Sequence, residues 1–318
     1  MTGARRPPPG AADGALRLRQ GAHEWALLAA LVALWGSPFV LIHLALQAFP
    51  PLALTAGRLL IGGGVLALFV LLMRRRLPLD WRAWRFFAAM AVIGNALPFF
   101  LIAWGQREIP SGLAGIFMAA TAPVVLVLAH FLVPGERLTP RRAGGFLLGL
   151  AGVVLLTGPE ALDAIAAGAD GLAARLAVLG GTLCYAIAII LARRGPHLEP
   201  LVTSACVLLL GGVLCAALLP WLPGPALPAG LPGGPLLALL ALGVLSTGLA
   251  AVIYFRLVAR AGASFLSLTN YLVPPWAVAA GALLLGERLP LRAFAALGLI
   301  LGGIILAQFR GQTGAPPP

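Results

Sequence analysis

Residues 134–142 read PGERLTPRR and residues 285–293 read LGERLPLRA. Each Gly-Glu-Arg-Leu run follows a long apolar stretch with proline inside it, Pro123 in the first and the tandem Pro274-Pro275 in the second. The chain has only 10 acidic residues among 318, so the same polar tetrapeptide in the same setting twice marks an internal duplication. Gly135 and Gly286 lie 151 positions apart, and at that offset Pro123 falls on Pro274, Arg141 on Arg292 and Gly152 on Gly303. From Gly135 to Leu156, nine of 22 positions are identical.

The apolar stretches that flank these runs set the class. The chain is 60% hydrophobic and 10% charged, with a mean hydropathy of +0.99. A soluble chain of this length could not cover such a surface with polar groups, which makes it an integral membrane protein. The net charge of +12 comes from arginines without a single lysine. They sit in short breaks between apolar runs, the place of cytoplasmic positive charge rather than of a nucleic-acid surface. Cys184, Cys206 and Cys215 all lie inside apolar runs, with a spacing that fits neither a disulfide framework nor a zinc site.

A helical segment of about twenty apolar residues crosses a bilayer core of about 30 Å. Ten such segments are predicted: 25–46, 52–73, 86–104, 112–133, 142–157, 172–192, 201–221, 236–257, 264–285 and 292–309. With the N-terminus inside, the tails and even-numbered loops hold 17 arginines and the other side holds four. That bias places both termini in the cytoplasm of a multi-pass inner-membrane protein. Five helices per copy is odd, so the second copy is inserted upside down. The expected organisation is a disordered tail (1–23), a first repeat (24–157), an external linker (158–170), a second repeat (171–309) and a cytoplasmic tail (310–318). The fold class is therefore all-α, with ten transmembrane helices in two inverted five-helix repeats, an architecture of alternating-access carriers.

The stretches 114–156, AGIFMAATAPVVLVLAHFLVPGERLTPRRAGGFLLGLAGVVLL, and 264–306, SFLSLTNYLVPPWAVAAGALLLGERLPLRAFAALGLILGGIIL, resemble the end of the EamA repeat of the drug/metabolite transporter superfamily. The mid-helix proline, the Gly-Glu-Arg-Leu turn and the small-residue helix after it all match. LWGSPFV in helix 1 and Arg58 in helix 2 are similar to that family's opening helices. The resemblance covers roughly residues 25–309 and implies a ten-helix carrier of small organic solutes, in many members an exporter of amino acids, related metabolites or drugs. It supplies no catalytic or ligand motif, and members' substrates differ on one scaffold.

A polar group in hydrocarbon needs a partner or a water-filled cavity, so polar residues near mid-span are the substrate-cavity candidates. They are Trp35, Ser37, Asn95, Thr121, Tyr185, Ser246, Thr247, Asn270 and Tyr271, with Thr182 and Thr269 nearby. Serine and threonine commonly bond back to their own helix. Trp35, Asn95, Tyr185, Asn270 and Tyr271 are expected to resist that local satisfaction. Arg58, about 9 Å from the outer end of its helix, either snorkels to headgroups or serves as a cavity cation that meets a carboxylate. Pro274 and Pro275 remove two backbone donors and are expected to break or bend their helix. Gly145, Gly149, Gly298 and Gly302 form small-xxx-small faces for close helix packing. Gly135 and Gly286 suit the positive φ that ends a helix, and Glu136 and Glu287 are expected to face the start of the helix that follows. Pro140 and Pro290 suit the first turn of that helix, with Thr139 a cap for the earlier one.

No Asp or Glu lies near the middle of any span. A carrier working through a buried acid would need one, so the expected substrate is a neutral or zwitterionic organic solute. Nothing in the sequence calls for a catalytic centre, a cofactor, a metal or a nucleic-acid partner. The partners implied are the solute and the lipid bilayer. Two other readings stay open: a carrier of nucleotide sugars or other phosphate-bearing metabolites, which would want several cavity cations, and an integral membrane enzyme acting on lipid-linked substrates.

Overall fold

A computed structural model describes residues 21–133, 139–157, 170–196, 198–221, 230 and 232–308. Gly135, Glu136, nearly all of the expected linker, the last tail and most of the first tail lie outside them. Among the described residues the chain is helical, without strands. The helices are α1 (Ala22–Ala45), α2 (Pro51–Leu72), α3 (Trp81–Gly105), α4 (Ser111–Leu132), α5 (Pro140–Thr157) and α6 (Asp170–Arg194). They continue as α7 (Pro200–Leu218), α8 (Gly233–Gly262), α9 (Thr269–Leu285) and α10 (Leu291–Gln308). Seven, α1–α4 and α6–α8, are long and apolar enough to cross a membrane, and α9 and α10 are shorter apolar helices. Their outward faces carry large apolar side chains such as Leu71, Phe131, Leu283 and Leu291, all exposed.

Several helices are interrupted where the sequence removes a backbone donor. In α1 the break falls at Ser37, just before Pro38, and in α4 at Ala120, three residues before Pro123. A π-turn in α3, Val92–Ala96, precedes Pro98, whereas a longer one in α8, Leu242–Leu249, has no proline in or beside it. The tandem proline does not break its helix. Helix α9 runs unbroken from Thr269 to Leu285 with Pro274 and Pro275 inside it. The prolines leave the Asn270 and Tyr271 carbonyls without their usual helical donors, but the discontinuities come earlier, at Gly262 (φ 84°) and at the Ser267-Leu268 turn. Helix α3 also begins before the apolar run, because Asp80 caps it by accepting from Arg82 N at 3.2 Å.

Lipid tails are as apolar as leucine, so helices in a membrane gain from close backbone approach, which glycine allows. Helices α2 and α7 cross this way. A methyl placed on Gly63 would sit 2.9 Å from Leu209 Cγ, and one on Gly212 would sit 2.8 Å from Leu60 Cγ. Exchanging Leu60 for Leu209 and Gly63 for Gly212 returns the same two contacts, so the helices run antiparallel. Helices α5 and α10 repeat the pattern: Gly152 faces the Ala296 carbonyl, 2.8 Å from such a methyl, and Gly303 faces the Gly145 carbonyl. On α5, Gly145 and Gly149 pack against α10 as expected, whereas on α10 Gly303 takes the place expected of Gly298 and Gly302. A methyl on Gly298 would meet nothing, and one on Gly302 would only touch Leu148. The shift is one of helix face, since only the small residues that point at the partner's carbonyls count.

At the α9–α10 turn Gly286 takes φ 66°, ψ 22°, and Glu287 N donates back to Gly281 O at 3.2 Å, closing the helix end. The Glu287 carboxylate then departs from the expectation. Oε1 accepts from Ser111 N at 2.7 Å and Oε2 from Gly112 N at 2.9 Å, so it caps α4 of the other copy rather than α10. Helix α4 starts after Pro110, which brings no side-chain cap, and α9 packs beside it. The turn therefore aims the carboxylate at unpaired N–H groups and a positive dipole end. Pro140 and Thr139 play their expected parts at the start of α5, where Thr139 Oγ1 accepts from Arg142 N at 3.4 Å.

Two outcomes test this packing. Gly303→Leu must push α5 and α10 apart, and is expected to lower the melting temperature of the purified protein far more than Gly298→Leu, whose site is open. Glu287→Gln weakens two charge-assisted bonds and is expected to cost about 1–2 kcal/mol of stability, read from the same melting curves.

Candidate functional site

The crossing of α2 with α8 builds the centre of the site. A methyl on Gly62 would lie 2.6 Å from Thr247 Cγ2 and 3.1 Å from Gly243 O, so the two helices touch where both lack a side chain. One turn from each glycine, Arg58 and Thr247 then meet, with Arg58 Nε donating to Thr247 Oγ1 at 3.0 Å. The threonine is itself held by donating to Leu242 O at 2.8 Å, five residues back across the π-turn. The Arg58 guanidinium carbon stands 3.9 Å from the centre of the Phe99 ring, a cation–π contact. Phe99 in turn packs edge-on to Tyr185 of α6 at 6.3 Å between ring centres. Arg58 is only 7% exposed, so it does not snorkel.

These groups line a cavity of about 910 Å³ between the two copies. It collects eight of the ten candidate residues: Trp35, Arg58, Asn95, Thr121, Tyr185, Ser246, Thr247 and Asn270. Trp35 packs on Tyr254 at 5.6 Å and Thr121 bonds back to Met118 O at 2.8 Å. Asn95 departs from expectation, since its Nδ2 does bond locally, to Met90 O at 3.1 Å. The π-turn makes that reach of five residues possible, as it does for Thr247. Ser37 and Tyr271 are not among the lining residues. Ser37 Oγ accepts from Trp276 Nε1 at 3.0 Å, and Tyr271 packs against the apolar core. Pro274 lines the cavity, whereas Pro123 and Pro275 do not. Thr182, also outside it, bonds to Val178 O at 3.0 Å and to Phe117 O at 3.4 Å, tying α6 to α4. The described cysteines are free thiols, Cys206 and Cys215 buried and Cys184 partly so.

Sequence reasoning missed Phe99, Arg142 and Arg193, which also line the cavity. Phe99 carried no polar signal. The two arginines were counted with the surface charges of their loops, although each sits at a helix end that the cavity reaches. The cavity extends to that end through Ala129, Arg142, Arg193 and Thr203, and stops among Ile42, Ile102 and Met118 at the other. Among its described lining residues there is no aspartate or glutamate.

The sequence profile of the EamA-like transporter family matches residues 23–158 and 172–309. An uncharacterized transporter of Archaeoglobus fulgidus is 25% identical over 284 residues, spanning 89% of this chain and 98% of its own length. The probable terminal-alkyne amino-acid exporter of Streptantibioticus cattleyicolor is 29% identical over 291 residues, or 90% of this chain and 93% of that protein. The uncharacterized inner membrane transporter YedA of Escherichia coli K12 is 26% identical over 304 residues, 92% of each. A solved crystal structure with 23% identity covers 91% of this chain and 98% of its own with a TM-score of 0.63, which shows a shared fold. Two copies of the family's sequence on a bundle of apolar helices identify the chain as a multi-pass membrane protein that belongs to the EamA-like transporter family.

Proposed function

We propose that the protein is a ten-span inner-membrane carrier, built from inverted repeats at 24–157 and 171–309, that exports amino acids or related small organic metabolites by alternating access. The observation that carries this reading is the cavity itself. It is large enough for a small solute, lies between the copies, and takes polar side chains from both. The reciprocal antiparallel contacts of α2 with α7 and of α5 with α10 support the inversion, because equivalent helices in parallel repeats would not run oppositely.

Contacts between helix ends support the sorting of those ends between two membrane faces, which the arginine bias orients with both termini inside. Glu24 at the start of α1 pairs with Arg260 near the end of α8 at 2.9 Å, and Arg75 after α2 pairs with Glu199 before α7 at 3.2 Å. Both pairs join ends that the arginine count assigns to the cytoplasm. Glu287 and Ser111 meet at ends assigned to the outside. On that assignment the cavity opens inward, ready to load from the cytoplasm, and the Glu287 cap lies on the sealed side. One relative's name specifies an amino-acid exporter, which agrees with this direction.

The test is export from cells and from proteoliposomes loaded with an amino-acid mixture. Trp35→Ala, Asn95→Ala and Tyr185→Ala are each expected to lower flux about tenfold, the effect of losing about 1.4 kcal/mol of solute contact, at unchanged membrane abundance. Ser37→Ala, which lies off the cavity, is expected to leave flux near wild type. Normal flux in all three cavity variants would place the solute path elsewhere.

A further inference from the structure

Arg58 is bound on two sides and open on the third. Its Nε donates to Thr247 Oγ1, and the Phe99 ring covers one face. Its terminal nitrogens, Nη1 and Nη2, make no hydrogen bond to any described residue, although the side chain is buried and lines the cavity. A guanidinium held in apolar surroundings without a counter-charge is costly, and the described lining residues offer no carboxylate to meet it. The two fixed contacts leave one direction for relief, the fork of parallel N–H bonds that faces the cavity.

We propose that this fork is the receptor for a carboxylate of the solute, which makes the substrate class monocarboxylates, amino acids among them. The inference rests on reading the cavity as the solute's binding place, but not on transport itself. A planar carboxylate matches the fork's two N–H groups oxygen for oxygen. One negative charge neutralises one deep guanidinium. A phosphate monoester would carry excess negative charge into a site walled by Ile102, Val207 and Leu208. For an amino acid, the ammonium finds the Asn95 amide oxygen, which has no partner among the described residues. The lack of a mid-span acid therefore fits an anionic group on the solute itself, a sharper statement than neutrality.

The experiment titrates the purified full-length protein with 4-methylpentanoate, phenylacetate, L-leucine and L-phenylalanine. The primary amide of each, and phenyl phosphate, serve as comparisons, and the readout is the ligand-induced rise in melting temperature. At least one carboxylate is expected to stabilise the protein saturably, with an affinity at least about tenfold above that of its amide. Arg58→Gln is expected to abolish the difference between acid and amide. Arg58→Lys keeps the charge without the fork and should lose most of that difference, which decides the matter if Arg58→Gln does not fold. The proposal is overturned by no stabilisation from any carboxylate, by equal affinity for acid and amide, by discrimination surviving in the variants, or by phenyl phosphate binding more tightly than phenylacetate. Absent flux with intact discrimination would instead overturn the carrier reading and leave this one standing.

Discussion

The structure hangs on two antiparallel crossings, α2 against α7 and α5 against α10, where glycines let backbones approach to contact. In hydrocarbon there is no water to expel between helices, so van der Waals fit and backbone proximity have to hold the copies together. At α5–α10 the fit is glycine against carbonyl, Gly303 on Gly145 and Gly152 on Ala296. Each crossing contains its own reciprocal pair of contacts, so one surface serves twice. A bundle pinned along these two seams leaves the space between them to α1, α3, α4, α6, α8 and α9, and that space is the cavity.

Polar groups inside such a bundle need a partner or a water-filled cavity. The π-turns of α3 and α8 show one solution, in which Asn95 and Thr247 each reach five residues back to a carbonyl. They fall in corresponding helices of the two copies, and both turns face the cavity. Thr247 does more, because its oxygen also receives Arg58, so the helix irregularity positions a deeply buried cation. At the far end, Glu287 satisfies two N–H groups of α4 and ties the copies together beyond the cavity. A methyl on Gly281 would lie 2.9 Å from Ser111 Oγ and would press on the carboxylate itself, so that glycine keeps the passage open.

The duplication, the helical class and most of the cavity's polar lining were legible in the sequence, because polar residues stand out in apolar runs and each must face something. What was not legible depends on rotation of a helix about its axis. Gly298 and Gly303 differ by five residues and by face, and composition cannot say which points at the partner. Ser37 and Tyr271 look like cavity residues by depth, yet one accepts from Trp276 and the other packs into the core. The tandem proline reads as a break or a bend; α9 continues through it, and the chain breaks at Gly262 and at the Ser267-Leu268 turn. Glu287 was correctly placed beside a helix start, and the wrong helix was chosen, since the capped one comes from the other copy. Phe99 was invisible because its role is a ring face under Arg58.

The inversion of the two copies is the claim from which the cavity and its sidedness follow. Arg141 and Arg292 occupy equivalent positions at the starts of α5 and α10. The decisive measurement places a single cysteine at each in turn, Arg141→Cys or Arg292→Cys, with Cys184, Cys206 and Cys215 replaced by alanine, and reacts intact cells and inside-out vesicles with a membrane-impermeant thiol reagent. Inverted repeats predict labelling at 292 from outside only and at 141 from the cytoplasmic side only, whereas labelling of both positions from the same side would contradict the account.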